Sequence, residues 1–83
     1  MFKVGDTVVA IHNVKDCPYS INTTFKYRVT GYAPNNKDIV IRIISAPKGH
    51  LAHIGGIYMR AVEHYKLYQN TTDAGNSLSF IIT

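Results

Sequence analysis

Phe25-Lys26-Tyr27-Arg28-Val29-Thr30 sets a large apolar side chain at every second position and a polar or cationic one between. Successive side chains of an extended chain point to opposite faces, so this period of two marks a strand with one face in a core and the other in water. Gly31 ends the alternation and permits a bend or bulge. Ala33-Pro34-Asn35-Asn36-Lys37-Asp38 then carries the residues of a turn long enough to join antiparallel neighbours. Beyond it, Ile39-Val40-Ile41-Arg42-Ile43-Ile44 places isoleucine at each odd position. These isoleucines are expected to face inward with Phe25, Tyr27 and Val29, while Arg42 points out.

Upstream, Phe2-Lys3-Val4-Gly5-Asp6-Thr7-Val8-Val9-Ala10-Ile11 is a Gly-Asp turn feeding a β-branched run. It reads as the opening strand, with both faces partly covered. Residues 13–24 read as a loop, with Asp16-Cys17-Pro18 and Ser20-Ile21-Asn22-Thr23-Thr24 as turn formers and Ile21, with Tyr19 beside it, as apolar anchors. Downstream, residues 45–56 hold Pro47, three glycines and two histidines and read as a connecting loop. A short strand, Ile57-Tyr58-Met59-Arg60, follows. Residues 61–65 are too few for an independent helix and read as a single 3-10 turn before a last strand, Lys66-Leu67-Tyr68-Gln69. Residues 70–76 are polar, and Ser77-Leu78-Ser79-Phe80-Ile81-Ile82-Thr83 regains strand character. The division expected is therefore 1–69 as a small barrel and 70–83 as an extension adding an edge strand. That extension pairs within its own chain or, alternatively, with a second copy in a weak homodimer.

Composition agrees. The 83 residues allow one domain; 46% are apolar and 17% charged, too hydrophobic and too weakly charged for a disordered chain. Val, Ile and Tyr dominate over Leu and Ala, which favours pleated strands. One cysteine, Cys17, cannot form an internal disulfide, and a reducing cytoplasm is the expected compartment. No apolar run approaches the roughly 20 residues of a membrane span, so no membrane partner is expected. Nine Lys plus Arg against five Asp plus Glu give a net charge of +4, a bias towards polyanions or an acidic protein surface. The bases are scattered singly rather than clustered in an arm.

Five short strands with one 3-10 turn between the last two is the layout of an SH3-like barrel, and three stretches carry a resemblance. Lys3-Val4-Gly5-Asp6-Thr7-Val8-Val9-Ala10, Phe25-Lys26-Tyr27-Arg28-Val29 and Tyr58-Met59-Arg60-Ala61-Val62-Glu63-His64-Tyr65-Lys66-Leu67-Tyr68 resemble the small SH3-like proteins widely encoded by bacteriophages. The resemblance spans about residues 2–68 and departs in the loop 45–56 and after Gln69. It implies an all-β, five-stranded antiparallel barrel and, more weakly, a phage origin. Members differ in partner, so it transfers no site.

No catalytic constellation emerges. His50 and His53 in a His-x-x-His spacing, with Cys17 and His64 as further donors, fall short of the paired ligands at both ends that a structural zinc uses, and loop histidines are the simpler reading. Cys17 sits beside Asp16, whose charge raises rather than lowers a thiol pKa. Glu63 and Asp38 lack a partner acid. Gly55-Gly56 lacks the Gly-Lys-Ser/Thr ending of a phosphate loop. Neither an enzyme, a cofactor nor a metal is expected.

The richest feature is the interleaving of tyrosines with bases: Tyr27, Arg28, Tyr32, Arg42, Tyr58, Arg60, Tyr65, Lys66 and Tyr68. Such a combination stacks bases and neutralises phosphates, and it equally suits a protein-binding hot spot. A small barrel must bury some of these rings, and Tyr27, in phase with Phe25 and Val29, and Tyr65 are assigned to the core. The expected binding residues are Tyr32, Arg42, Lys48, His50, His53, Tyr58, Arg60 and Lys66. The expectation is a binding module that modulates a host protein or complex from the host cytoplasm, with nucleic-acid binding through the same surface as the alternative.

Overall fold

A computed structural model describes residues 2–35 and 37–68. Its elements are β1 (Thr7–Ala10), β2 (Lys26–Tyr32), β3 (Asp38–Ser45), a 3-10 turn (Leu51–His53), β4 (Ile57–Ala61), a second 3-10 turn (Val62–His64) and β5 (Tyr65–Leu67). The strands form one antiparallel sheet in the order β4-β3-β2-β1-β5, and the described residues contain no α-helix. No helix among them is long and apolar enough to cross a membrane.

The opening turn works as its residues suggest. Asp6 accepts the Lys3 amide on its carboxylate at 2.8 Å, and Gly5 sits at φ 99°, a conformation that costs a side chain dearly. The turn is then bonded to β2 through Gly5 N to Val29 O and Val29 N to Asp6 O. Between β2 and β3, the Asn35 side chain accepts the amides of Lys37 and Asp38. Gly31 is where the alternation breaks: the β2–β3 register shifts between Val29 and Gly31. From that point Tyr32 pairs with the inward Ile39, so it has crossed to the other side of the sheet from Arg28.

Tyr27, Val29, Ile39, Ile41 and Ile43 line the inner face of β2 and β3, each no more than 1% exposed. Val8 and Ala10 from β1, Tyr65 from β5, and Ile21 and Phe25 from the β1–β2 loop complete the core. Burying each of the larger aliphatic side chains stabilises the fold by about 1.5–3 kcal/mol, which is how a sheet this small holds together. The loop 11–25 is therefore the lid of the core, and Ile21 anchors it as expected. Tyr19 is pinned mainly by its backbone, which accepts the Tyr27 hydroxyl at 2.7 Å.

Three details differ from the sequence reading. The loop 45–56 contains a second 3-10 turn, built by His50 N to Pro47 O, His53 N to His50 O and Ile54 N to Leu51 O. Two such turns are present rather than one, because the Pro47-Lys48-Gly49 turn delivers the chain already wound into three-residue bonds. Tyr65 opens β5 instead of closing the turn, paired with Ala10. The sheet is also open: β4 and β5 are its two edges and are not bonded to each other. Ser20 from the β1–β2 loop stands between them, its Oγ accepting from Arg60 Nε of β4 at 3.0 Å and its carbonyl accepting the Tyr65 hydroxyl of β5. The expected edge strand at 77–83 and the boundary at residue 69 lie outside the described residues.

Both inward tyrosines have phenols pushed well above their usual pKa near 10. For Tyr27 the cause is first burial, with a further push from Tyr58 against a lowering backbone hydrogen bond from Asn22. For Tyr65 burial again leads, reinforced by Tyr27 and Cys17 and opposed by Arg60. Both rings stay neutral and serve as hydrogen-bond donors that tie the lid down.

Candidate functional site

Antiparallel register turns the alternation into a surface. One row of residues runs across four strands on the outer face: Thr7 pairs with Arg28, Arg28 with Arg42, and Arg42 with Ile57. In such a row directly opposed side chains have Cβ atoms about 4.5–5.5 Å apart, so the two arginine side chains leave the sheet side by side. Both arginines are exposed. Arg42 extends towards the loop at Gly55, where a Cβ would stand 3.8 Å from its Nη2.

Lys26 shares the outward phase of Arg28, and Lys66 joins the same face because β5 pairs Lys66 with the outward Val9 of β1. The Lys26 ammonium lies 4.9 Å from the centroid of the Tyr68 ring, a cation–π contact that fixes both. Four cations thus share one face. Asp38 begins β3 four residues before Arg42, about 13 Å away along a strand, and Asp6, just before β1 at the Arg28 end of the row, has its carboxylate on the Lys3 amide. Asp38 is also engaged by the Asn35 side chain at 3.2 Å.

A groove of about 900 Å³ opens at one corner of this face, walled by the end of β1, residues 23–26 and the end of β5. Its origin is a difference in pairing length. β1 leaves β2 after Val8 pairs with Tyr27, yet it stays with β5 as far as Ala10 and Tyr65.

Of the residues expected at the site, Arg42 and Lys66 share this outer face, Arg42 on β3 and Lys66 three strands away on β5 at the groove. The others lie elsewhere. Tyr32 is on the opposite side beyond the bulge, its hydroxyl donating to Phe2 O at 2.6 Å. Tyr58 pairs with the inward Ile41, packs half-buried against the core and carries the Arg60 guanidinium 5.4 Å from its ring centroid. Arg60 is occupied by Ser20 and by the Met59 carbonyl. His53 stacks on Tyr19 at 3.9 Å between centroids, and His50 stands 5.8 Å from Phe25, so these histidines clamp the loop 45–56 onto the lid. Lys48 is exposed on that loop.

His64 turns from the other histidines to His12, with His12 Nε2 and His64 Nδ1 2.8 Å apart. Among the described residues no three or more His, Cys, Asp or Glu converge on a point where a metal ion would fit. Cys17 is half-buried against the core. Lys26 and Arg28 were missing from the expected set, although the alternation in β2 already places both outward. What the alternation lacks is the register that sets them beside Arg42 and Lys66. No family model, no curated protein and no solved structure matches the chain.

Proposed function

We propose that this chain is a non-catalytic binding module of the SH3-like barrel type that binds nucleic acid through the outer face of its sheet. The observation that carries this is the directly opposed Arg28–Arg42 pair, with Lys26 and Lys66 on the same face. Like charges facing each other across strands destabilise a sheet, and phosphates laid over them remove that repulsion. The barrel assignment is supported by the five-stranded antiparallel order, the 3-10 turn between β4 and β5, and Ser20 linking the two edges. The resemblance to phage-encoded barrels adds a host cytoplasm as the place of action.

The test is fluorescence anisotropy of a labelled oligonucleotide across a salt series. Four phosphate contacts give a slope of log affinity on log salt of about −3 for a single strand. The double variant Arg28→Ala/Arg42→Ala should roughly halve that slope. Undetectable binding at low salt, or affinity indifferent to salt, ends this reading.

A second reading, an acidic host protein as ligand, draws on one further observation. Ile57 and Met59 are 63% and 50% exposed along β4, an edge strand among the described residues and next to Arg42, with Leu51 and Ile54 exposed on the loop before it. A stoichiometric protein band pulled from nuclease-treated lysate, lost on replacing Ile57 and Met59 with serine, would favour this reading.

A further inference from the structure

We infer that the groove at the corner of β1 and β5 seats one unstacked base of the bound strand, which makes the outer face selective for single-stranded over duplex nucleic acid. This rests on the nucleic-acid reading and deepens it.

The groove combines two chemistries that a nucleotide also combines. Its apolar surface comes from Val9 of β1, Ile11 just beyond that strand and Leu67 of β5, with the Tyr68 ring at its side. Lys26 and Lys66 also line it, both belonging to the cation face. A planar ring entering the groove would meet these side chains on one wall and the hydroxyls of Thr23 and Thr24 on another, with both lysines in the same lining to take the flanking phosphates. Tyr68 is held by Lys26 and remains 37% exposed, so the ring is oriented yet accessible. A volume of about 900 Å³ lies within the ~300–1,000 Å³ of small-ligand sites and leaves room for a base with its sugar.

The groove also explains a preference. Bases in a duplex are stacked and paired, so their faces cannot reach a side chain in a recess; bases of a single strand can splay out and stack on an aromatic ring. The four cations alone bind either form through phosphates. Discrimination therefore falls to the groove, and within it to Tyr68.

The experiment is anisotropy at low salt with three fluorescein-labelled 12-mers: oligo(dT), a duplex of the same length, and an abasic sugar-phosphate strand. Each is measured with wild type, Tyr68→Ala, Tyr68→Phe and Arg28→Ala/Arg42→Ala. Wild type is expected to bind oligo(dT) at least about 10-fold tighter than the duplex. Tyr68→Ala should weaken oligo(dT) by about 5- to 100-fold, the range of one stacked base, and Tyr68→Phe should restore it because only the ring is used. The abasic strand should be indifferent to Tyr68→Ala. Equal or tighter duplex binding overturns the inference. So does an unchanged affinity of Tyr68→Ala for oligo(dT) while the double arginine variant loses it; the face then binds and the groove is idle. Wild type failing to bind all three strands overturns the face and the groove together.

Discussion

Tyr27 and Arg28 are neighbours in β2, yet one is fully buried and the other stands in solvent beside a second arginine. The inner face is held many times over: Tyr27 packs among Phe25, Ile43 and Tyr65, and its hydroxyl is tied to the lid. The outer face is held by strand pairing with the Lys26–Tyr68 contact at one corner, and it sets two arginines directly opposite each other. Side chains that stabilise the fold and side chains free for a ligand are thus separated by one residue, and substitutions at the two positions should read very differently.

The largest effect belongs to the inner face. Tyr27→Ala removes a fully buried ring and leaves the Tyr19 carbonyl without its donor. We expect a loss of about 3–5 kcal/mol by urea denaturation. Native domains have only about 5–15 kcal/mol in total, so much of the protein should be unfolded. Arg28→Ala should stay within about 0.5 kcal/mol of wild type. Comparable losses for the two variants would break the division between the faces.

Alkaline pH probes the same division without a mutation. Burial raises the phenol pKa of Tyr27 and Tyr65 above that of the unfolded chain, near 10. Below that pH both states hold the proton and the contribution to stability is complete. Above it the unfolded chain releases protons that the folded chain retains, so stability falls as pH rises. Each tyrosine contributes up to about 1.4 kcal/mol per pH unit, and the pair about 2.7. Urea midpoints between pH 8 and 11 should drop, and Tyr65→Phe should remove about half of the slope. A wild-type midpoint that stays level to pH 11 would show that these phenols reach water.

Ser20 is the next test and also shows where the sequence stops being legible. Alternation in residues 25–30 and 39–44 predicts two strands, their inward residues and the outward direction of Arg28 and Arg42, because a period of two is a local property. The Gly31 bulge follows from glycine for the same reason. Nothing local announces that Ser20 joins residues 40 and 45 positions away on the two edges of an open sheet. Charge alone suggests exposure for Arg60 and so a binding residue; its partner across the fold has no local signal. Spacing is all that the sequence offers for His50 and His53, whereas the stacking of His53 on Tyr19 and the tilted contact of His50 with Phe25 depend on how two loops meet. Register is the common gap: it gathers Lys26, Arg28, Arg42 and Lys66, and no single stretch contains it. Ser20→Ala removes the oxygen that Arg60 Nε donates to and should cost about 1.5 kcal/mol, the low end for a charged hydrogen bond because the arginine is only partly buried. A Ser20→Ala/Arg60→Ala cycle with no coupling would show that the lid does not link the edges.

The smallest expected change is the most informative about the outer face. Arg42→Glu sets a carboxylate directly across from Arg28, converting a like-charge cross-strand pair into an opposite one. Such pairs contribute roughly 0.2–1 kcal/mol, so the urea midpoint should rise slightly. Affinity for an oligonucleotide should fall by more than Arg42→Ala produces, since a phosphate now meets a negative charge. A gain in stability together with a loss of binding is the signature of residues kept for a ligand at the expense of the fold. If stability falls instead, the contact of Arg42 beside Gly55 matters more to the sheet than its repulsion from Arg28 does. The outer face would then be a structural surface, no different in kind from the inner one.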